Sequence, residues 1–321
     1  MPIAEKISLV LGGATLGAVS YAFFQKTTQP SKMAMMEPIH LVPTTPTTLG
    51  QLPLDPRDTA KFILPFGSPG PVNDIIYRTG YITSYNRRDR NPNWVAEHLT
   101  ADSLKRMEGV DRGKSNFKED EKIPPKFRAR LSDYFRSGFD RGHMVPAADM
   151  KNNQTSMDET FYLTNISPQV GEGFNRDYWA HFESFCRSLV YKFTNVYVFT
   201  GPLYLPHQEA DGKFYVKYQV IGNPPNVSVP THFYKVIMTE KNGKFSVGAF
   251  VLPNQPIPDD TPLEAFKVPL DAVERGTGLL FFDRMGPAKA NITDLCKETK
   301  CQVVLSKFHE AKKNATPQLS A

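Results

Sequence analysis

Short runs of alternating hydrophobic and polar residues dominate the middle of the chain and predict β-strands. Two of them, residues 81–85 and 94–98, flank a polar loop rich in arginine. This arrangement predicts a hairpin with a basic tip. Further aromatic and β-branched runs predict strands at residues 161–165, 196–200, 214–221, 232–239 and 246–252.

One segment, residues 175–193, has helical spacing instead. Trp179, Phe182, Phe185 and Leu189 recur at intervals of three or four residues, which places them on one face of a helix. We predict that Trp179 is a core residue rather than a platform on which bases stack. Several strands and few helices, without regular alternation, predict an α+β fold.

An almost uncharged apolar run extends from Ile7 to Phe24 near the start of the chain. As a helix it would span roughly 27 Å, close to the hydrocarbon core of a bilayer at about 30 Å. We predict an uncleaved membrane anchor; the hydrophobic part of a cleaved secretory signal is the alternative.

Six prolines follow between residues 27 and 57 and predict an extended tether, because proline disrupts helices and sheets. The last residues of the chain are polar and predict a frayed tail. The expected organisation is therefore an anchor or targeting segment at 1–27, a proline-rich tether at 28–57, one folded domain at 58–310 and a tail at 311–321.

Charge and cysteine content narrow the function only slightly. The formal net charge is +5 in 321 residues, which suits a polyanionic partner but does not identify one. The three cysteines are too few for a disulfide framework, and none has a second Cys or His pair nearby for a zinc site. Cys296 and Cys301 are close enough to bridge. We predict two buried thiols, with a disulfide as the alternative.

The run Asp140-Arg141-Gly142-His143 carries residue types suited to phosphodiester hydrolysis. His143 supplies a base that is neutral near pH 7, and Arg141 supplies a donor for phosphate oxygens. Gly142 permits a close approach of backbone or substrate. Asp140 is predicted to be structural and to hold its neighbours in place. Alone, these four residues also fit a surface turn with one solvated histidine.

The order of elements around this run is more specific. A strand with His143, a second strand ending at Asn165 and a helix beginning at Asn175 have the order of a ββα-metal (His-Me finger) motif. The chain resembles the DNA/RNA non-specific endonucleases, and within them the mitochondrial endonuclease G branch in its fungal form. The matching stretches are YNRRDRNPNWVAEHL, SGFDRGHMVPAAD, MDETFYLTNISPQVGEGFNRDYW, TGPLYLP and VPTHFYK. The resemblance implies a mixed antiparallel sheet with flanking helices.

The resemblance also implies roles for individual residues. His143 corresponds to the general base, and Arg141 to an arginine that contacts phosphate. Asn165 corresponds to an active-site asparagine on the strand facing the histidine. Asn175 corresponds to the direct protein ligand of Mg²⁺, for which Mn²⁺ substitutes. Glu183, eight residues later and on the same helix face, corresponds to the acidic residue that orients water around the ion.

Parts of this assignment have alternatives. A second phosphate-binding residue belongs to the family pattern; Arg112 is our choice, and Lys114 or a hairpin arginine are the alternatives. A Gly-Glu-Gly insert before Asn175 allows a slip of one residue in the match. Asn175 could also merely cap its helix, and Glu183 could be a solvated surface carboxylate.

The implied function is a metal-dependent mitochondrial endonuclease that cuts DNA and RNA and leaves 5′-phosphate and 3′-hydroxyl ends. The resemblance further implies a homodimer tethered to the inner membrane, with the nuclease domain in the intermembrane space. After release to the nucleus it would contribute to apoptotic-type DNA degradation. A nucleic-acid-binding protein on a decayed nuclease fold and a small-nucleotide phosphodiesterase are the alternatives. The complete set of site residues argues against the first, and the arginine-rich segment at 126–143 argues against the second.

Overall fold

The computed structural model describes residues 58–70 and 73–303. The strands are β1 (Ile75–Tyr77), β2 (Tyr81–Asn86), β3 (Asn91–Leu99), β4 (Asp140–His143), β5 (Ile166–Gln169), β6 (Asn195–Leu203), β7 (His207–Gln208), β8 (Phe214–Tyr215), β9 (Val220–Ile221), β10 (Val227–Ser228), β11 (His232–Lys241), β12 (Lys244–Pro253), β13 (Lys267–Val268) and β14 (Thr293–Asp294). The α-helices are α1 (Thr59–Ile63), α2 (Leu131–Tyr134), α3 (Gln154–Glu159), α4 (Tyr178–Ser188), α5 (Leu270–Thr277) and α6 (Leu295–Glu298).

The predicted anchor from Ile7 to Phe24, the tether at 28–57 and the tail at 311–321 lie outside the described residues. Among the residues that are described, no helix is long and apolar enough to cross a membrane.

A large, mostly antiparallel sheet organises the described part of the chain. Its strands follow the order β1-β2-β3-β6-β11-β12-β13, and β14 pairs with β12 in parallel. The predicted hairpin with a basic tip is confirmed as β2 and β3, with a register shift between Ser84 and Tyr85. The strands predicted at 196–200, 232–239 and 246–252 are also confirmed, each as part of a longer strand. The α+β fold class is confirmed.

Hydrophobic residues are buried on both faces of this sheet. On β11, Phe233 and Ile237 join the cluster that packs around α4, whereas Tyr234 and Val236 join a cluster on the opposite face. Successive side chains of a strand point to opposite faces, so a strand covered on both sides has an almost continuous apolar sequence. Trp179 is 1% exposed within the α4 cluster, which confirms that it is a core residue.

Two strand predictions are wrong. Residues 163–165 form a 3₁₀ turn, in which the Asn165 amide donates to the Tyr162 carbonyl, and the strand begins only at Ile166. The predicted strand at 214–221 is divided into β8 and β9, which pair with β7 and β10 respectively. The residues between β8 and β9 are exposed. In both cases local β-propensity did not decide the structure, because a strand also needs a partner along its whole length.

The predicted helix at 175–193 is too long. Helix α4 begins at Tyr178, and the five residues Gly171–Asn175 before it form a distorted π turn. Gly173 adopts a φ of 77°, and its amide donates to Oδ2 of Asp177 at 2.6 Å. Because Asn175 lies outside α4, the prediction that helical spacing places Asn175 and Glu183 on one face is wrong.

The prediction of two free thiols near the end of the domain is also wrong. Cys296 and Cys301 form a disulfide, with their Cα atoms 5.2 Å apart. Cys296 lies in α6, and Cys301 is buried in the cluster around α4. The disulfide therefore joins helix α6 to the buried residue Cys301 in the core. Cys186, in α4, is a buried free thiol.

Candidate active site

The predicted catalytic run forms strand β4, which pairs with β5 in an antiparallel ribbon. Because side chains alternate along a strand, Arg141 and His143 share one face, and Asp140 and Gly142 share the other. A Cβ atom at Gly142 would lie 1.9 Å from Oε1 of the buried Gln169. The close approach that we predicted for this glycine is therefore made by the side chain of Gln169, and the position has no room for another residue.

Two aromatic rings support the face that carries His143. The imidazole packs against Phe117 at 5.3 Å and meets Phe161 edge-on at 4.9 Å between ring centres. The guanidinium carbon of Arg141 lies 4.4 Å from the centre of the Phe117 ring, and that of Arg112 lies 5.8 Å from the centre of the Phe161 ring. The same two rings thus bring together His143 and two arginines that are far apart in sequence.

The environment of His143 keeps its ring neutral. Burial, together with the positive charge of Arg112, lowers the pKa of His143 to about 3. Its Nε2 atom is enclosed and has no hydrogen-bond partner among the described residues. Burial disfavours the charged imidazolium, and a nearby cation disfavours it further.

Asn165 lies next to the strand that carries His143 and is fully buried. Its Nδ2 donates to the carbonyls of Val145 and Thr160 at 3.0 and 2.9 Å, and its Oδ1 accepts from the amide of Val145 at 3.0 Å. Both ends of its amide are therefore engaged by the backbone. In this arrangement Asn165 orders the segment that follows His143, which is a positioning role.

Asp140 connects β4 to the π turn that carries Asn175. Its carboxylate accepts two hydrogen bonds from Arg176, at 2.6 and 2.7 Å, and one from Nδ2 of Asn175 at 2.9 Å. Partial burial opposes ionisation, but these hydrogen bonds outweigh it and lower the pKa of Asp140. Because the amide nitrogen of Asn175 is fixed by Asp140, the orientation of its Oδ1 is fixed as well.

Glu183 lies on α4 within a group of buried charges. Burial is the main cause that raises the pKa of Glu183 to about 7, against the opposing charges of Lys235, Arg187 and Arg112 and with a contribution from Asp149. Arg112 therefore influences both Glu183 and His143.

The charged residues around Glu183 were not predicted from the sequence. Arg187, one helical turn later, donates to Asp149 at 2.7 Å. Lys235 is 1% exposed, donates to the Thr200 hydroxyl at 2.8 Å and lies 4.8 Å from the centre of the Trp179 ring. Glu97 is 2% exposed, and burial raises its pKa well above the usual range. Arg187 follows Glu183 by four residues, which makes the two side chains neighbours on a helix. This spacing was the one feature of the sequence that indicated a charged neighbour for Glu183.

The surroundings of Arg112 differ from those of Lys114, Arg87 and Arg90, three other candidates for the second phosphate contact. Lys114 donates to the carbonyl of Gly109 at 3.3 Å. In the hairpin, Arg87 forms an ion pair with Asp74, and Arg90 donates to the Arg88 carbonyl at 2.6 Å. Arg112 is exposed, and its charge acts on the pKa values of both His143 and Glu183. It is therefore better placed than these three to meet a phosphate near His143.

The side chains near Asn175 fit a divalent cation such as magnesium, which needs few protein ligands. Within residues 58–70 and 73–303, no group of three or more His, Cys, Asp or Glu side chains could hold a metal ion. Oδ1 of Asn175 accepts no hydrogen bond from these residues, whereas the nitrogen of the same amide is held by Asp140. Magnesium takes oxygen ligands and retains several waters, so one neutral amide oxygen is a suitable protein ligand.

Comparison with known proteins decides the family. The family described as DNA/RNA non-specific endonuclease matches residues 60–287. The chain belongs to this family. It is 53% identical over 253 residues to the mitochondrial nuclease of Saccharomyces cerevisiae, covering 77% of this chain and 76% of that protein. It is 46% identical over 217 residues to human mitochondrial endonuclease G, covering 67% and 71%.

A third relative and a solved structure extend the comparison. Nuclease C1 of Cunninghamella echinulata is 56% identical over 245 residues, covering 76% of this chain and 96% of the relative. A chain in the crystal structure of the EndoG/EndoGI complex, which concerns inhibition of EndoG, aligns with a TM-score of 0.70 at 50% identity and covers 74% of this chain and 95% of that one. The resemblance to the endonuclease G branch and the ββα-metal fold are thereby confirmed.

Proposed function

We propose that this endonuclease hydrolyses phosphodiester bonds in DNA and RNA with His143 as general base and one Mg²⁺ ion at Asn175, for which Mn²⁺ substitutes. The arrangement of a neutral histidine with Arg141 and Arg112 on two shared aromatic rings carries the proposal. This arrangement offers a proton acceptor and two phosphate donors on one face of the molecule.

The low pKa of His143 describes the chain without substrate. A phosphate that binds Arg112 would offset the positive charge that helps to lower this pKa, and the pKa of His143 would then rise toward the working range of a general base. Since Nε2 is enclosed, Nδ1 is the nitrogen that would take a proton from water. The resulting hydroxide attacks phosphorus, and the leaving 3′ oxygen takes up a proton to become a hydroxyl while the phosphate stays on the 5′ side.

Asn175, with water, would hold the cation, and Glu183 would orient the water around it. When bound, such an ion supplies Lewis-acid stabilisation of charge on phosphoryl oxygens. The amide ligand is neutral and Asp140 is already paired with Arg176, so the protein leaves most of the charge of the ion unopposed. Arg141 and Arg112 add positive charge toward the bound phosphate, and backbone contacts of this kind carry no base preference.

The assignment of the base is tested with His143→Ala in the full-length chain. This variant is expected to lose nearly all cleavage of supercoiled plasmid and of RNA but to shift DNA on a gel. His207→Ala, at an exposed histidine of β7, is the matched control and should cleave normally. Plasmid cleavage retained by His143→Ala in magnesium would contradict the assignment.

The assignment of the metal ligand is tested with Asn175→Ala. We expect its activity to require far more Mg²⁺ or to be lost, while Asn291→Ala, at an exposed asparagine, responds as the wild type does. EDTA should abolish cleavage by the wild type. An unchanged magnesium titration in Asn175→Ala would place the ligand elsewhere.

The mitochondrial names of the relatives support a mitochondrial location for this chain. Within the organelle we favour the intermembrane space, because the Cys296–Cys301 disulfide suits an oxidising compartment. The segment from Ile7 to Phe24 would tether the chain to the inner membrane, and release would give it access to nuclear DNA. A homodimer is the proposed assembly, and the mass of the purified chain in solution tests it.

The other two functions predict different results in the same assays. A decayed binding protein would shift DNA without cutting it, and a small-nucleotide phosphodiesterase would cleave a dinucleotide analogue but not plasmid. The exposed Arg112 and Arg141 beside His143 favour a polymeric phosphate substrate.

A further inference from the structure

A bulky aromatic side chain projects into solvent just before the catalytic strand. Phe135 follows α2, and 71% of its surface is exposed. The guanidinium of its neighbour Arg136 lies 5.0 Å from the centre of the ring. Single exposed hydrophobic residues are common on protein surfaces. Here, however, an aromatic ring and a guanidinium lie together in solvent, and these are the two groups that contact bases and phosphates of single-stranded nucleic acids.

The turn that carries Phe135 is held firmly. The hydroxyl of Ser137 donates to the Tyr134 carbonyl at 3.0 Å and accepts from the Phe139 amide at 3.2 Å. Tyr134 is buried, and Phe139 packs against the same cluster as Phe117, the ring beneath Arg141. Phe135 is therefore presented by an ordered turn.

This turn is close to the phosphate-binding face. Phe135 precedes Arg141 by six residues, which span at most about 22 Å when fully extended. Burial raises the pKa of Tyr134, and the positive charge of Arg141 opposes that rise, so the guanidinium lies within electrostatic reach of the residue next to Phe135. A strand of a few nucleotides held at Arg141 is therefore long enough to reach Phe135.

We propose that Phe135 stacks on an unpaired nucleobase of the substrate while Arg136 contacts the adjoining phosphate. This inference rests on the proposed nuclease function and adds a substrate-binding position to it. A cation beside an exposed ring meets both parts of a nucleotide, the charged phosphate and the flat base. Stacking of this kind is tolerant of base identity, which suits a nuclease without sequence preference. The bases of a duplex are already stacked on each other, so the contact favours single-stranded DNA and RNA.

The chain offers a direct optical test. Its two tryptophans, Trp94 and Trp179, are 0% and 1% exposed, so a tryptophan introduced at position 135 supplies the solvent-exposed signal. We would combine Phe135→Trp with His143→Ala in the full-length chain, so that the probe stays intact. A single-stranded oligonucleotide should quench the new fluorescence, whereas an abasic strand of the same length, with phosphates but no bases, should bind more weakly and leave the fluorescence unchanged.

Kinetics of the active enzyme provide the second measurement. Phe135→Ala should raise KM for single-stranded DNA by about 5-fold or more, with a much smaller effect on duplex DNA and little effect on kcat. Phe135→Trp should restore the KM. Tyr191→Ala is the matched control, because Tyr191 is 90% exposed but has no arginine or lysine over its ring among the described residues.

The results separate this inference from the nuclease assignment. If the wild type cleaves plasmid and RNA but Phe135→Ala has an unchanged KM on single strands, the stacking contact is refuted and the nuclease function stands. Equal quenching by the base-containing and abasic strands would also refute stacking, since phosphate alone would then explain the signal. If the wild type cleaves no nucleic acid, both proposals fail.

Discussion

Glu183→Gln should make this protein more stable and less active at the same time. Burial raises the pKa of Glu183 from 4.5 to about 7, despite the nearby charges of Lys235 and Arg187. At about 1.4 kcal/mol for each tenfold change in acidity, holding this carboxylate ionised in the folded chain costs about 3 kcal/mol. Glutamine has the same size and no charge, so it removes up to that cost.

The sign of the effect depends on pH in a defined way. Below about pH 4.5 Glu183 is protonated in both the folded and the unfolded chain, and the cost is absent. It grows as the pH rises and is complete above about pH 7, where the folded chain must also release the proton. The difference between Glu183→Gln and the wild type should therefore be largest at pH 8 and below about 1 kcal/mol at pH 5.

Urea unfolding in EDTA, at pH 8 and at pH 5, measures this difference without a contribution from bound metal. Glu108→Gln, at an exposed glutamate, is the control and should change the unfolding free energy by less than about 0.5 kcal/mol. Plasmid cleavage with magnesium should be strongly reduced in Glu183→Gln and normal in Glu108→Gln. Equal stability of Glu183→Gln and the wild type at pH 8, or a difference that is as large at pH 5, would refute the argument from burial.

Two further predictions concern parts of the fold that support the site. Gly142→Ala would place a methyl group 1.9 Å from Oε1 of the buried Gln169, so the Gln169 side chain or the β4–β5 ribbon must shift. We expect a loss of about 1–3 kcal/mol in urea unfolding and weaker plasmid cleavage. Normal values for both would show that Gln169 moves aside freely. Cys296→Ser opens the disulfide to Cys301 and should lower the unfolding free energy by about 2 kcal/mol, with cleavage retained. Wild type reduced with dithiothreitol should match that variant, and no change on reduction would contradict the prediction.

Strand β4 and the basic hairpin could be predicted because each depends on residues close together in the sequence. The segment Asp140–His143 combines its residues in four consecutive positions, and strands β2 and β3 are joined by a short polar loop. The position of Asn175 was harder to predict. Its side chain depends on a π turn with a left-handed glycine, and on Asp140, which is 35 residues away in sequence. Helical periodicity carries no information about either contact.

The buried charges around Glu183 could not be predicted from the sequence. Lys235 lies in β11 between the apolar Tyr234 and Val236, and Glu97 lies in β3 between Ala96 and His98. The pattern of hydrophobic and polar positions therefore gives no reason to bury either charge. Their burial becomes possible only when strands β3, β6 and β11 are adjacent, because Lys235 then reaches the Thr200 hydroxyl across the sheet. A charged residue is buried when a distant partner stabilises it, and the sequence does not show which residues will meet.

These charges also explain why one carboxylate remains available for chemistry. Asp140 is neutralised by Arg176, and Asp149 by Arg187. Burial raises the pKa of Glu97 well above its usual range, which favours its neutral form. Of these four carboxylates, Glu183 is the one whose ionisation falls near neutral pH, and the charge of Arg112 acts on its pKa as it does on that of His143. Burial of the Glu183 carboxylate therefore lowers the stability of the folded chain, and the same carboxylate would orient water around the ion. A substitution that removes its charge raises the stability and removes that role.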